Sequence, residues 1–267
     1  MNGSHDSTGS HYRSIAVGWA ACACAGLLTA PAAAGQVVEY RSGATSIEAY
    51  LVEPSTEAGA RSPAVIVIHD DQGLTDEVRA AARLFAAEGF VALAPDLVSR
   101  GADRPQQVPL NQTVQDVVAA FAFLQANAGV DPERISVAGF GWGGWRAFKL
   151  AELTPTLHRA VVFYGTTSDD RELHNIRAPV LGHYAEYDFQ TTAQVLATKR
   201  RLGERFTYHV YPDMDRGFFG GSSGAIDYEA LVRGRASENL PSQTEPASAA
   251  VTDAVRLAWN RTLDFLR

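Results

Sequence analysis

Cysteine is missing from almost the whole of this chain. Its two cysteines, Cys22 and Cys24, both fall within the first 34 residues, so residues 35–267 hold no thiol. That excludes a disulfide, a thiolate nucleophile and a cysteine-based metal site from the body of the chain. Blocks of basic residues are missing too. Against 23 Lys and Arg stand 30 Asp and Glu, a formal net charge of −7. An acidic surface without basic runs argues against nucleic-acid and anionic-membrane partners. Beyond residue 34 no apolar run is long enough to serve as a transmembrane candidate.

The first 34 residues differ from the rest. A polar start ending at Arg13 leads into the apolar Ser14-Ile15-Ala16-Val17-Gly18-Trp19-Ala20-Ala21, through Gly26-Leu27-Leu28 to Ala32-Ala33-Ala34. That sequence of charged, apolar and small-residue regions reads as a secretory signal peptide, which implies an exported protein, periplasmic or secreted. Small residues interrupt the apolar region, so cleavage is expected rather than retention as an anchor. A lipobox at Cys22 is disfavoured because Trp19-Ala20-Ala21 lacks its leading aliphatic residue.

Residues 35–267 suit one α/β domain. Val37–Tyr40 and Ile47–Val52 alternate like edge strands about a Ser42-Gly43 turn. Ala64-Val65-Ile66-Val67-Ile68 is a continuous β-branched run, the mark of a strand buried on both faces. It ends in His69-Asp70-Asp71-Gln72-Gly73. Further strands are expected at 91–95, 135–138, 160–164, 180–184 and 206–211. Helical periodicity lies between them, with Asp131-Pro132 as a turn and a terminal amphipathic helix over 251–266. The alternation predicts a doubly wound, mostly parallel sheet with right-handed crossovers. The segment 220–246 is long and polar, with at most a short helix at 228–233, and reads as a lid or binding loop.

The most informative stretch is Val137-Ala138-Gly139-Phe140-Gly141-Trp142-Gly143-Gly144-Trp145. A buried strand breaks into glycines and restarts as a helix, the layout of a nucleophile elbow. The middle position of such a turn carries Ser, Cys or Asp. Here it is Gly141, which has no side chain.

On the stretches 64–74, 89–100, 131–144, 163–165, 179–188, 209–212 and 259–266, in that order, the chain resembles the dienelactone hydrolase family. The resemblance implies an α/β-hydrolase fold and a Cys, Asp, His triad with an acidic residue near its start. Carried over by position, the nucleophile falls on Gly141 and the acid on Asp188. The His of Tyr-Pro-x-x-x-His-Gly-Phe falls on Arg216, and the early acidic residue is Asp70, one methylene shorter than the usual Glu. Two triad positions are thus changed. Arg216 has no acceptor nitrogen and cannot take a proton at neutral pH, but it can pair bidentately with Asp188 or bind a ligand carboxylate. The oxyanion hole needs only backbone N–H groups, those of Trp142 and Asp71, and is expected to survive.

Around this site Trp142, Tyr164, Tyr187 and Phe218 are candidate ligand contacts, with Phe219 beside them, and Trp145 is expected to pack in the core. His69, next to Asp70 and Asp71, is either acid–base apparatus or a structural imidazole bonded to the loop backbone. Adjacent strand-end residues point apart, so no metal site is expected there, and no cofactor is implied. His183 and His209 read as satisfied core residues. Ser222 and Ser223 lack a partnered base and are poor nucleophiles. These residues leave three expectations. One is a small-molecule binding protein that uses the old pocket for a carboxylate-bearing ligand. The second is an enzyme of altered mechanism, a hydrolase, lyase or isomerase using His69, Asp70 and Asp188. The third is a weak hydrolase with an unrecognised nucleophile.

Overall fold

The computed structural model describes residues 1, 34–57, 59–99, 101, 105–167, 173–219 and 249–267. Residues 2–33 of the expected signal peptide, the 220–246 segment expected as a loop with a short helix at 228–233, Ser222 and Ser223 lie outside these described residues. Residues 32–267 form a compact unit of their own. Among the described residues no helix is long and apolar enough to cross a membrane.

Eight strands form one sheet: β1 (Gln36–Ser42), β2 (Thr45–Val52), β3 (Ser62–Ile68), β4 (Val91–Pro95), β5 (Val130–Phe140), β6 (Ala160–Phe163), β7 (Val180–Ala185) and β8 (Phe206–Tyr211). Their order across the sheet is β1-β2-β4-β3-β5-β6-β7-β8. The β1–β2 and β2–β4 pairs are antiparallel and the other five parallel. The helices are α1 (Asp76–Ala87), α2 (Leu110–Ala126), α3 (Trp142–Leu153), α4 (Phe189–Leu202) and α5 (Ala249–Leu266). The doubly wound, mostly parallel α/β sheet read from the sequence is the observed architecture.

Strand alternation builds two cores, one on each face of the sheet. Ala64, Ile66 and Ile68 pack with Val117 and Phe121 of α2, Phe148 of α3 and Val195 of α4. Val65 and Val67 turn to the opposite face, with Phe85 of α1 and Trp259 of α5. That two-sided burial is why the run carries no polar residue. One local expectation fails: Asp131-Pro132 belongs to β5 rather than to a turn. The register between β3 and β5 shifts between Ser62 and Ala64, next to the proline, which has no N–H to give to the ladder.

The six parallel strands end on the same edge of the sheet. His69, Gly141, Tyr164, Asp188 and Arg216 all follow the ends of strands there, where open α/β sheets bind ligands.

Candidate functional site

The elbow is intact in backbone geometry. Gly141 joins β5 to α3 at φ +47° and ψ −107°, a conformation glycine takes without the Cβ clash other residues meet. Its N–H donates to the Phe163 carbonyl at 2.8 Å, tying the turn to β6. Close approach is needed two residues on, where a side chain on Gly143 would strike the backbone carbonyls of Ile68 and His69. The two strand ends are thereby pressed together.

That closeness puts Asp70 into the elbow. A Cβ on Gly141 would collide with Oδ1, Oδ2 and Cγ of Asp70. The volume vacated by the missing side chain is filled by a carboxylate from β3's loop. Oδ1 accepts the Trp142 N–H at 2.9 Å and the Asp71 N–H at 2.8 Å, so both amides expected to form an open oxyanion hole already hold an anion. The first turn of α3 favours negative charge there. Burial pushes the Asp70 carboxyl above its usual value, while the two N–H bonds pull it back down. Oδ2 has no hydrogen bond among the described residues.

His69 is fully buried and uses both ring nitrogens. Nε2 accepts the Leu97 N–H at 3.2 Å, which leaves Nδ1–H to donate to the Asp70 carbonyl at 2.7 Å. Its ring stacks on Trp142 with an interplanar angle of 2°, and burial holds its pKa below the ordinary value. This is a neutral imidazole that shapes the Asp70 loop. It has no free nitrogen with which to take a substrate proton.

Asp188 caps α4, Oδ1 accepting the Thr191 N–H at 3.3 Å, and Oδ2 accepts from Arg216 Nη1 at 3.3 Å. The pairing is a single contact, short of the bidentate geometry these two groups can form. The Asp188 side chain is 5% exposed and that of Arg216 is 45% exposed. Arg216 also lines an open cleft of about 500 Å³, walled by Asp70, Asp71, Gly141, Trp142, Trp145 and Arg146 as well. A narrow apolar slot between α1 and the sheet, formed by Val78, Leu84, Phe140 and Phe219, meets Asp70 from its other side.

A sequence model described as "Dienelactone hydrolase family" matches residues 47–267. The chain belongs to the dienelactone hydrolase family. It is 29% identical over 209 residues to a Salmonella typhi protein named "Putative carboxymethylenebutenolidase", covering 68% of this chain and 77% of that one. Among solved structures it is similar to a "Putative Dienelactone Hydrolase" from Klebsiella pneumoniae, at TM-score 0.70 and 22% identity, over 88% of this chain and 99% of the other. A dienelactone hydrolase-like promiscuous phosphotriesterase from metagenomic libraries matches at TM-score 0.69 and 21% identity, over 88% and 98% of the two chains. At these identities the structural likenesses speak for the fold.

Against the family's triad, the structure gathers Gly141, Asp188, Arg216 and Asp70 at one strand-end edge, as the resemblance implied. The ring of expected ligand contacts needs correcting. Tyr164 is fully buried at φ +41°, its hydroxyl donating to the Phe219 carbonyl at 3.1 Å, and it does not line the cleft. Positive φ turns its side chain away from the strand-end surface. Phe218 is buried against Tyr211 and Tyr164. Tyr187 is exposed but committed to Asp213, at 2.7 Å, outside the cleft. Trp145, assigned to the core, is half-buried in the cleft wall. Arg146 was missed altogether. Its only signal was a charge inside the buried face of a helix. His183 has Tyr211 Oη at 2.9 Å and Thr262 Oγ1 at 3.0 Å, a satisfied core residue. Among the described residues no cluster of three or more His, Cys, Asp or Glu could hold a metal ion.

Proposed function

We propose that this dienelactone hydrolase-family protein is exported, does not carry out Cys- or Ser-type ester hydrolysis, and binds a small carboxylate-bearing molecule in the cleft beside Gly141. One observation carries the reading. The place of the nucleophile and both oxyanion amides are taken by the Asp70 carboxylate. An acyl oxygen cannot use those amides while Asp70 holds them, and Arg216 cannot serve as a base. What remains usable is Arg216, half-exposed and held by a single contact, a guanidinium suited to a carboxylate. Calorimetry with benzoate and butyrate, each against its amide, tests this. Carboxylates should bind, amides should not, and Arg216→Gln should weaken binding by at least ~10-fold. Equal binding of acid and amide rules the reading out.

A second reading keeps chemistry at the site. Oδ2 of Asp70 stands in the nucleophile's place with its carboxyl raised by burial, and a carboxyl placed there can act as a general acid or base. The relatives' hydrolase names favour it. Turnover that rises with pH through a single ionisation and vanishes in Asp70→Asn would establish this reading in place of the first.

A further inference from the structure

Arg146 is a buried cation whose charge no carboxylate balances among the described residues. It is 7% exposed, and the atoms it does show lie in the cleft wall. Its hydrogen bonds go to neutral acceptors. Nε donates to Thr113 Oγ1 at 3.3 Å and Nη1 to the Trp142 carbonyl at 3.0 Å. Nη2 has no hydrogen bond among the described residues. The guanidinium carbon lies 3.4 Å from the centroid of the Trp142 ring and 5.3 Å from that of Trp145. Arg216 is placed differently, with Asp188 in contact and Asp70 within electrostatic reach.

Desolvating a guanidinium costs more than an aromatic face and two neutral hydrogen bonds return. Burial is accordingly the sole cause pushing the Arg146 pKa down, to about 9, which still leaves it charged at neutral pH. A methionine would fill the same helix position without that cost. A cation kept under such conditions, in the wall of an open cleft, has a use for an anion that arrives from outside.

We propose that Arg146 is a second anion anchor of this cleft, and that the ligand is a small dianion such as a dicarboxylate, one acidic group on Arg146 and the other on Arg216. This rests on the carboxylate-binding reading above and adds the second charge to it. The cleft, at about 500 Å³, has room for a molecule of that size. Trp145, half-buried in the cleft wall, lines the path of its spacer. Stacking of Arg146 on Trp142 fixes the plane of the guanidinium before the ligand arrives, so little rotamer freedom is lost on binding.

The test is calorimetry on the full chain with glutarate, adipate and isophthalate, each beside its own monomethyl ester. At least one diacid should bind ~10-fold or more tightly than its monoester, one extra charge-assisted contact being worth that much. Arg146→Met should bring that diacid to within about twofold of its monoester, and should leave the melting temperature of the ligand-free protein unchanged or raised. Arg146→Lys, which keeps the charge but not the fork, should retain part of the gap. Monoesters that bind as tightly as their diacids would overturn the second anchor while leaving the carboxylate reading in place. A diacid preference that survives Arg146→Met would do the same, as would a lowered melting temperature with an unchanged preference, the result a purely structural stack gives. No binding of any acid would overturn both.

Discussion

The carboxylate of Asp70 occupies the space that a side chain on Gly141 would need. These two residues come from different strands, and each makes the other's state intelligible. With a Cys or Ser at the elbow, Asp70 could not take this position. With glycine there, an aspartate at the end of β3 can reach both elbow amides.

Restoring a nucleophile alone should therefore fail. Gly141→Cys adds a Cβ at φ +47° and drives it into Asp70, two penalties that together are expected to cost about 2–4 kcal/mol. Adding Asp70→Ala removes the collision and frees the two amides. Urea denaturation should show the double variant more stable than Gly141→Cys. Hydrolysis of a short-chain ester should stay absent in both, because Arg216 supplies no base.

Asp70→Asn should stabilise the protein at neutral pH. Burial raises the folded pKa of Asp70, so its contribution to stability is complete below the ordinary aspartate value and is lost as pH rises through the folded value. Asparagine keeps an acceptor oxygen for the two N–H groups and carries no charge to desolvate. Thermal melts should show the variant's advantage over wild type growing between pH 4 and pH 7. A constant difference across that range would disprove the assignment.

The buried histidines act with the opposite sign. Burial holds His69 and His183 below the ordinary histidine value in the folded state, so the unfolded chain takes protons first. Stability should be complete above about pH 6.5 and fall as the solution is acidified, by about 1.4 kcal/mol per pH unit for each histidine held neutral. Denaturation midpoints at pH 7.5, 6.5 and 5.5 measure the slope. His69→Gln should make it shallower, while also lowering stability through the lost bonds to Leu97 and Asp70.

Asp188 and Arg216 should separate in their effects. Asp188→Ala removes the cap of α4 and leaves a guanidinium unpaired, at a cost of about 1–2 kcal/mol in chemical denaturation. Arg216→Gln should cost under about 1 kcal/mol, because the pair is one long contact to a half-exposed side chain. A larger loss for Arg216→Gln would make the ion pair structural and weaken the case for a ligand there.

The frame of this fold was legible in the sequence because it follows from periodicity. The apolar run at 64–68 names a strand buried on both faces, and the glycines of 139–144 name a tight strand-to-helix turn. What escaped depends on contacts between distant segments. The reach of Asp70 to the Trp142 amide follows from how closely β3 and β5 approach behind Gly143, which no local pattern encodes. Tyr164 was misplaced because a positive φ at a non-glycine residue leaves no mark in the sequence. Arg146 did leave one, as a charge on the buried face of α3, where stacking on Trp142 hides it among apolar neighbours.

The central claim is that the family's nucleophilic hydrolysis is gone from this chain and that Asp70 stands in its place. Steady-state hydrolysis of a panel of short-chain esters and lactones, by wild type, Asp188→Ala and Asp70→Asn prepared side by side, tests it most directly. The expected result is no rate above buffer for any of the three. A wild-type rate that either substitution abolishes would contradict it and show that the site still does chemistry.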